Sequence, residues 1–134
     1  MSIRFKVKPL IDGDCRGRVI VLNQYLSFFG EVDSSRGIVK TDNGEVEISG
    51  KVLVFKGSRG STVGSYVIYA LKKNGVAPAC MVVREVEPIL IAGCVLTEIP
   101  LLVAEGFDDL VGLFLKGGVI IHNKGENYAV FEEG

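Results

Sequence analysis

The sequence predicts an α/β fold in which many short strands form a barrel-like sandwich, a β/β/α unit, against one main helix. Three observations carry this expectation. Short apolar runs, either alternating with polar residues or rich in β-branched ones, recur along the chain between Gly, Pro, Asn and Asp turn signals. One stretch, about residues 61–73, sets its apolar residues on a helical stripe. The chain also holds 17 glycines in 134 residues, which suits a backbone that turns often.

The elements follow in order. Ile3, Phe5 and Val7 alternate with Arg4 and Lys6, the pattern of a half-buried strand. After a loop at Pro9, Gly13 and Asp14, the run Arg18 to Leu22 reads as a more buried strand. Residues 23–37 read as a long irregular segment. Ile38 to Lys40 and Val46 to Ile48 flank the turn signal Asp42-Asn43-Gly44. Lys51 to Phe55 is almost continuously apolar, as central strands are. In the helix, Val63, Tyr66, Val67, Ala70 and Leu71 share one face, Ser61 is placed to cap its start, Lys72 and Lys73 suit its C-terminal dipole, and Gly75 suits its end. Ala79 to Val83, Ile89 to Cys94 and Leu101 to Val103 read as further strands. Asp108 to Leu115 suits one or two helical turns, and Val119 to His122 with Tyr128 to Phe131 suits a closing hairpin around Asn123-Lys124-Gly125. No linker or repeat interrupts the chain, so residues 1–134 are expected to form a single domain.

Composition narrows the function classes. Hydrophobic residues make up 48% of the chain, enough for a core that buries roughly two-thirds of the unfolded surface. Net charge is −1, with Lys and Arg dispersed, so no basic face is offered to nucleic acid. The longest apolar stretches, such as Ile89 to Leu96, fall far short of the ~20 residues of a membrane-spanning helix. The opening Met-Ser-Ile-Arg-Phe-Lys alternates like a strand and carries no signal-peptide core, which points to the cytoplasm. The three cysteines, Cys15, Cys80 and Cys94, are odd in number and far apart, which argues against a disulfide framework; Cys80 and Cys94 read as small buried hydrophobes. No Cys-x-x-Cys occurs and His122 is the sole histidine, so no metal site is expected on this chain.

Chemistry concentrates at two loops. Lys56-Gly57-Ser58-Arg59-Gly60-Ser61-Thr62 lies between a strand and a helix. Helix N-termini present unpaired N–H groups and the positive end of a dipole, which attract carboxylates and phosphates. The spacing is neither that of a Walker loop nor Gly-x-Gly-x-x-Gly, and an ordinary capped crossover helix explains the pattern as well. The second loop, Ser27-Phe28-Phe29-Gly30-Glu31-Val32-Asp33, suits either a contact surface or a loop folded onto the core. His122 reads as a surface or edge-strand residue, which leaves a serine without a histidine partner. Glu85 and Glu87 flank Val86 in a strand-like segment and would share one face, which suits a solvated face better than a catalytic carboxylate pair.

These two loops, with Ile48-Ser49-Gly50-Lys51-Val52-Leu53-Val54-Phe55 and Gly57-Ser58-Arg59-Gly60-Ser61-Thr62-Val63-Gly64-Ser65, resemble the small subunit of the aconitase X family. The resemblance runs to Lys116-Gly117-Gly118-Val119. It implies a swivelling β/β/α domain and a separate large subunit, in a heterodimer or larger complex, that bears a [4Fe-4S] iron–sulfur cluster. It implies a hydro-lyase that dehydrates a small phosphorylated hydroxy acid, (R)-5-phosphomevalonate, to trans-anhydromevalonate 5-phosphate in an archaeal-type mevalonate pathway. Gly60-Ser61-Thr62 is similar to the Gly-Ser-Ser loop of aconitases, so Ser61 inherits the role of catalytic base. Arg59, Gly60 and Thr62 are candidates to bind substrate, and the aromatic pair and glycine of the second loop make Ser27, Phe28, Phe29 and Asp33 the expected contact with the partner. Citrate-type aconitases place an arginine two residues after the serine; here that position is Val63, so the group that binds the substrate carboxylate is either Arg59 or a residue of the large subunit. A related dehydratase for another hydroxy acid, or a non-catalytic anion-binding module, would share the same loops.

Overall fold

A computed structural model describes all residues, 1–134. Ten strands and four helices follow one another as β1 (Ser2–Ile11), β2 (Cys15–Leu26), α1 (Phe28–Glu31), β3 (Val32–Asp33), β4 (Ile38–Thr41), β5 (Gly44–Glu47), β6 (Val52–Ser58), α2 (Gly64–Lys73), β7 (Cys80–Val83), α3 (Pro88–Thr97), β8 (Leu101–Ala104), α4 (Phe107–Phe114), β9 (Gly118–His122) and β10 (Tyr128–Glu133). Seven strands close into a barrel in the order β1-β10-β9-β2-β6-β7-β8, and β3-β4-β5 form a separate small sheet. Closure depends on the length of β1: its first half, Ser2 to Lys6, pairs with β10, and its second half, Val7 to Ile11, pairs with β8.

The strands β2, β6, β7 and β8 run parallel, and the crossovers between them carry the helices. This explains the continuous apolar run in β6. Val52 and Val54 point into the barrel core with Phe5, Phe114 and Phe131. Leu53 and Phe55 point outward into a second core with Phe28, Ile68, Leu71 and Leu90 from the helices. A strand buried on both faces has no polar alternation to show. On the barrel side, α4 inserts Phe114 between Phe5 and Phe131, with ring centroids 5.3 and 5.0 Å apart.

Several expectations are corrected. Ile89 to Cys94 is helix, not strand, so α2 is joined by a second helix of the same length rather than standing as the one main helix. Apolar residues occupy nearly every side of α3, which hides its 3.6-residue period. Its start signals are nonetheless present: Glu87 caps Ile89 and Leu90 with its carboxylate, and Pro88 takes the first turn. The two helices touch through Gly93, where a Cβ would sit 2.7 Å from Ile68 Cδ1. Helix α2 begins at Gly64, three residues later than the expected cap at Ser61, and Val63 precedes it with no side-chain cap. Residues 23–37 are less irregular than expected, since β2 continues to Leu26 and α1 and β3 follow.

His122 is 1% exposed, not a surface residue, and barrel closure leaves β9 without a free edge. Its ring nitrogens meet the Tyr128 carbonyl at 2.9 Å and Asp12 at 3.0 Å, which ties the β1–β2 turn to the last hairpin. Cys15 and Cys80 form a disulfide in the barrel core, with Cα atoms 5.5 Å apart. Their 65-residue separation in sequence conceals that pairing. Cys94 is the buried free thiol, and burial pushes its pKa up to about 12. No helix is long and apolar enough to cross a membrane.

Candidate active site

The two loops singled out in the sequence lie against each other at the C-terminal ends of β2 and β6. Parallel strands carry their ligands at this end, because the crossover helices begin there. The chain leaves β2 at Leu26 and enters α1 through a reciprocal cap: Gly30 N–H donates to Ser27 Oγ at 3.3 Å and Ser27 N–H donates to Glu31 Oε1 at 2.7 Å. The neighbouring loop is docked on it. Arg59 N–H donates to the Leu26 carbonyl at 3.1 Å, and the Arg59 guanidinium lies 3.4 Å from Glu31. Gly60 has φ +95°, a conformation that favours glycine, and a Cβ there would stand 3.1 Å from Ser27 Oγ.

Ser61 follows on an exposed turn. The Gly64 N–H donates to its carbonyl at 3.1 Å, and the Val63 N–H donates to its Oγ at 3.2 Å. The N–H groups of Gly60, Ser61, Thr62 and Ser65 donate to no acceptor in the chain. Thr62 is exposed and its hydroxyl has no partner in the chain. Together these groups form a small field of unpaired donors around one hydroxyl, at the positive end of α2.

Beside this turn a narrow cleft opens, lined by Ser58, Arg59, Gly60, Ser61 and Glu87 over an apolar floor that includes Phe28 and Ile68. The carboxylate of Glu87 accepts from Ser58 Oγ, from Ile89 N–H at 2.9 Å and from Leu90 N–H at 2.8 Å. Burial raises its pKa, but these hydrogen bonds outweigh burial and hold the group below its ordinary value. The sequence places Ser58 in the glycine loop and Glu87 on a solvated face, without joining the two in one site. The signal for Glu87 was its place before a proline and an apolar run. Glu85, expected beside it on a solvated face, is exposed and accepts a hydrogen bond from the Tyr25 hydroxyl, which raises that group's pKa.

The four expected partner-facing residues separate. Phe28 is 2% exposed and packs edge-on against Phe55, with centroids 5.9 Å apart; it belongs to the core and has no surface to offer a partner. Ser27 is committed to capping α1. Asp33 lies outside the cleft, where Arg36 and Ser35 hold its carboxyl well below the usual carboxylate range. Phe29 is 64% exposed and shares a shallow apolar recess with Val63 and Tyr66, the latter 69% exposed. That recess borders the Ser61 turn.

No three His, Cys, Asp or Glu side chains converge as metal ligands. Two of the three cysteines are joined to each other and the third is buried as a neutral thiol. The donor set of this chain therefore does not fit an iron–sulfur cluster.

Comparison with known proteins adds a family to this geometry. The profile described as "Aconitase X swivel domain" matches residues 4–129. A phosphomevalonate dehydratase small subunit of Aeropyrum pernix is 48% identical over 99 residues, covering 74% of this chain and 72% of that one. One from Methanosarcina mazei is 42% identical over 132 residues, covering 96% and 90%. The crystal structure of Thermococcus kodakaraensis aconitase X in its holo-form superposes with a TM-score of 0.87 at 36% identity, covering 98% of this chain and 99% of that one.

Proposed function

The chain belongs to the aconitase X swivel domain family, and from that premise we propose that it is the small subunit of a phosphomevalonate dehydratase, acting with a large subunit that completes the site. The reaction removes water from (R)-5-phosphomevalonate to give trans-anhydromevalonate 5-phosphate. In this reading Ser61 is the base. Its Oγ, ionised as the alkoxide, takes the proton from the carbon next to the substrate carboxylate as the double bond forms. The hydroxyl on the adjacent carbon departs as hydroxide toward the large subunit's side of the site, where it is protonated to water. A [4Fe-4S] cluster falls to the large subunit, because the residues here do not suit one.

The observation that carries the proposal is the setting of Ser61. A serine is a poor base at neutral pH unless its anionic form is stabilised. Here the Val63 N–H points at Oγ from 3.2 Å, unpaired N–H groups surround the turn, and Arg59 stands beside it. Donors preorganised toward a developing oxyanion are each worth about 10²- to 10³-fold in rate. Arg59, Gly60 and Thr62 also offer the substrate carboxylate a guanidinium, an open N–H and a hydroxyl. The exposed turn becomes a closed, water-poor site once the partner covers it, and the Phe29 and Tyr66 recess beside it is the surface we assign to that partner.

The test is reconstitution. The chain, co-expressed with a large aconitase X subunit and loaded anaerobically with iron and sulfide, should dehydrate (R)-5-phosphomevalonate; each subunit alone should not. Turnover of a different hydroxy acid in preference would move the chain to a related dehydratase. Turnover by this chain alone would overturn the division of labour.

A further inference from the structure

A second recess adjoins the cleft and is different in character. It is a groove of about 550 Å³ lined almost wholly by polar residues. Three cations from three separate elements face it: Lys40 from β4, Lys56 from β6 and Arg59 from the glycine loop. Thr41 also lines it, with its hydroxyl engaged in the β4–β5 turn by the Gly44 carbonyl and the Asn43 N–H. Lys40 and Lys56 have no carboxylate within 4.0 Å, whereas the nearby Glu31 is engaged by Arg59 and by the Ser27 N–H. The Lys56 ammonium is held 5.9 Å above the Tyr25 ring, whose own hydroxyl is bound to Glu85. Asp42 is the remaining acid on the rim.

Unpaired surface lysines are ordinary. Their convergence in a concavity at the C-terminal ends of two parallel strands is not, since this is where such sheets bind anionic ligands. Arg59 lines both the groove and the Ser61 cleft, so the two recesses adjoin at that side chain. A phosphate monoester carries a charge of roughly −1.5 to −2 at neutral pH. Two free ammonium groups and one shared guanidinium match that charge.

We infer that this groove holds the phosphate end of the substrate, with Lys40 and Lys56 as its anchors, while the carboxylate end lies at the Ser61 turn. The inference rests on the phosphomevalonate reading above and adds the residues that select a phosphorylated substrate. The phosphate is unchanged by the reaction, and its anchors are taken to contribute binding that is equal in the ground and transition states, so that their loss shows in KM with kcat unchanged.

The experiment uses the reconstituted two-subunit complex with Lys40→Gln, Lys56→Gln and the double variant. Expected is a KM for (R)-5-phosphomevalonate raised about tenfold or more by each single change, with kcat within about threefold of wild type. The inhibition constant of unphosphorylated (R)-mevalonate, which has nothing to place in the groove, should be unchanged. Lys56→Arg should recover most of the lost affinity, since it restores the charge. An unchanged KM in the double variant, with the wild-type complex active, overturns the groove alone. So does a parallel rise in KM and in the mevalonate inhibition constant, which would mark general damage to the loop. A wild-type complex that leaves (R)-5-phosphomevalonate intact overturns the hydro-lyase proposal, and the groove with it.

Discussion

The Ser27 hydroxyl stands 3.1 Å from the position a Cβ on Gly60 would occupy, so the cap of α1 and the glycine loop share one packed contact. The two sequence motifs are therefore a single structural unit, and the Ser61 turn takes its position from α1.

This contact predicts the behaviour of Gly60→Ala. The side chain would be strained at φ +95° and pressed against Ser27. The expected cost is about 1–2 kcal/mol of stability. A displaced loop should also lower turnover of the assembled complex more than tenfold, as misplaced catalytic groups do. Thermal unfolding and steady-state kinetics measure the two effects separately. A variant with wild-type turnover would show that the position of the loop does not matter to the chemistry.

Ser61→Ala should leave the fold nearly untouched, because Ser61 lies three residues before α2 and its Oγ accepts one hydrogen bond, from an exposed turn. A stability change below about 1 kcal/mol is expected. Turnover by the assembled complex should fall about 10²- to 10⁴-fold, the usual effect of losing a general base. Ser61→Asn should fall as far, since asparagine can accept the Val63 N–H but cannot take up a proton in the same way. Wild-type kcat in the asparagine variant would remove Ser61 from the mechanism.

The adjacent phenylalanines should divide sharply. Phe28→Ala removes a buried ring packed on Phe55 and should cost about 3–5 kcal/mol in denaturant unfolding. Phe29→Asp should unfold like wild type and weaken association with the large subunit about tenfold or more in calorimetry. If Phe29→Asp associates normally, the recess it shares with Tyr66 is not the interface.

Glu87 makes part of the stability pH-dependent. Its folded-state pKa is lowered from 4.5, so the stabilisation is fully present above about pH 4.5 and is lost as pH falls through the lower folded value. Wild type should therefore melt above Glu87→Gln near neutrality, with the gap closing on acidification below about pH 4.5. Melting curves for both proteins across that window check the sign. A gap that widens in acid would mean the carboxylate is not held as an anion.

Much of the molecule was legible in its residues, and the omissions share a physical origin. Strand β6 and helix α2 declared themselves through an apolar run and a 3.6-residue stripe. Helix α3 did not, because Val95 and Leu96 are exposed on the face opposite buried Leu90 and Cys94, which erases the polar side that marks a surface helix. The roles of His122 and of Cys15 with Cys80 depend on barrel closure, which joins strands far apart in the chain. At the site, Ser61 and Arg59 stood out because glycines flank them. Ser58 and Lys56 belong to the same loop, but Glu87 and Lys40 could not be grouped with it from sequence, since only the fold, with α3 starting beside the loop and β4 across the groove, brings them together.

The ring of seven strands has one more consequence, for how recognition can change over time. A barrel whose strands are all paired presents no row of free backbone amides, so a partner cannot extend it by adding a strand of its own. The partner surface proposed at Phe29 and Tyr66 is instead made of side chains, which sit on α1 and α2 outside the ring. Each of these can be replaced singly without disturbing strand register. In the proposed two-subunit complex, partner preference would thereby be uncoupled from fold integrity, and the subunits would be free to co-adapt by single substitutions while the barrel stays the same.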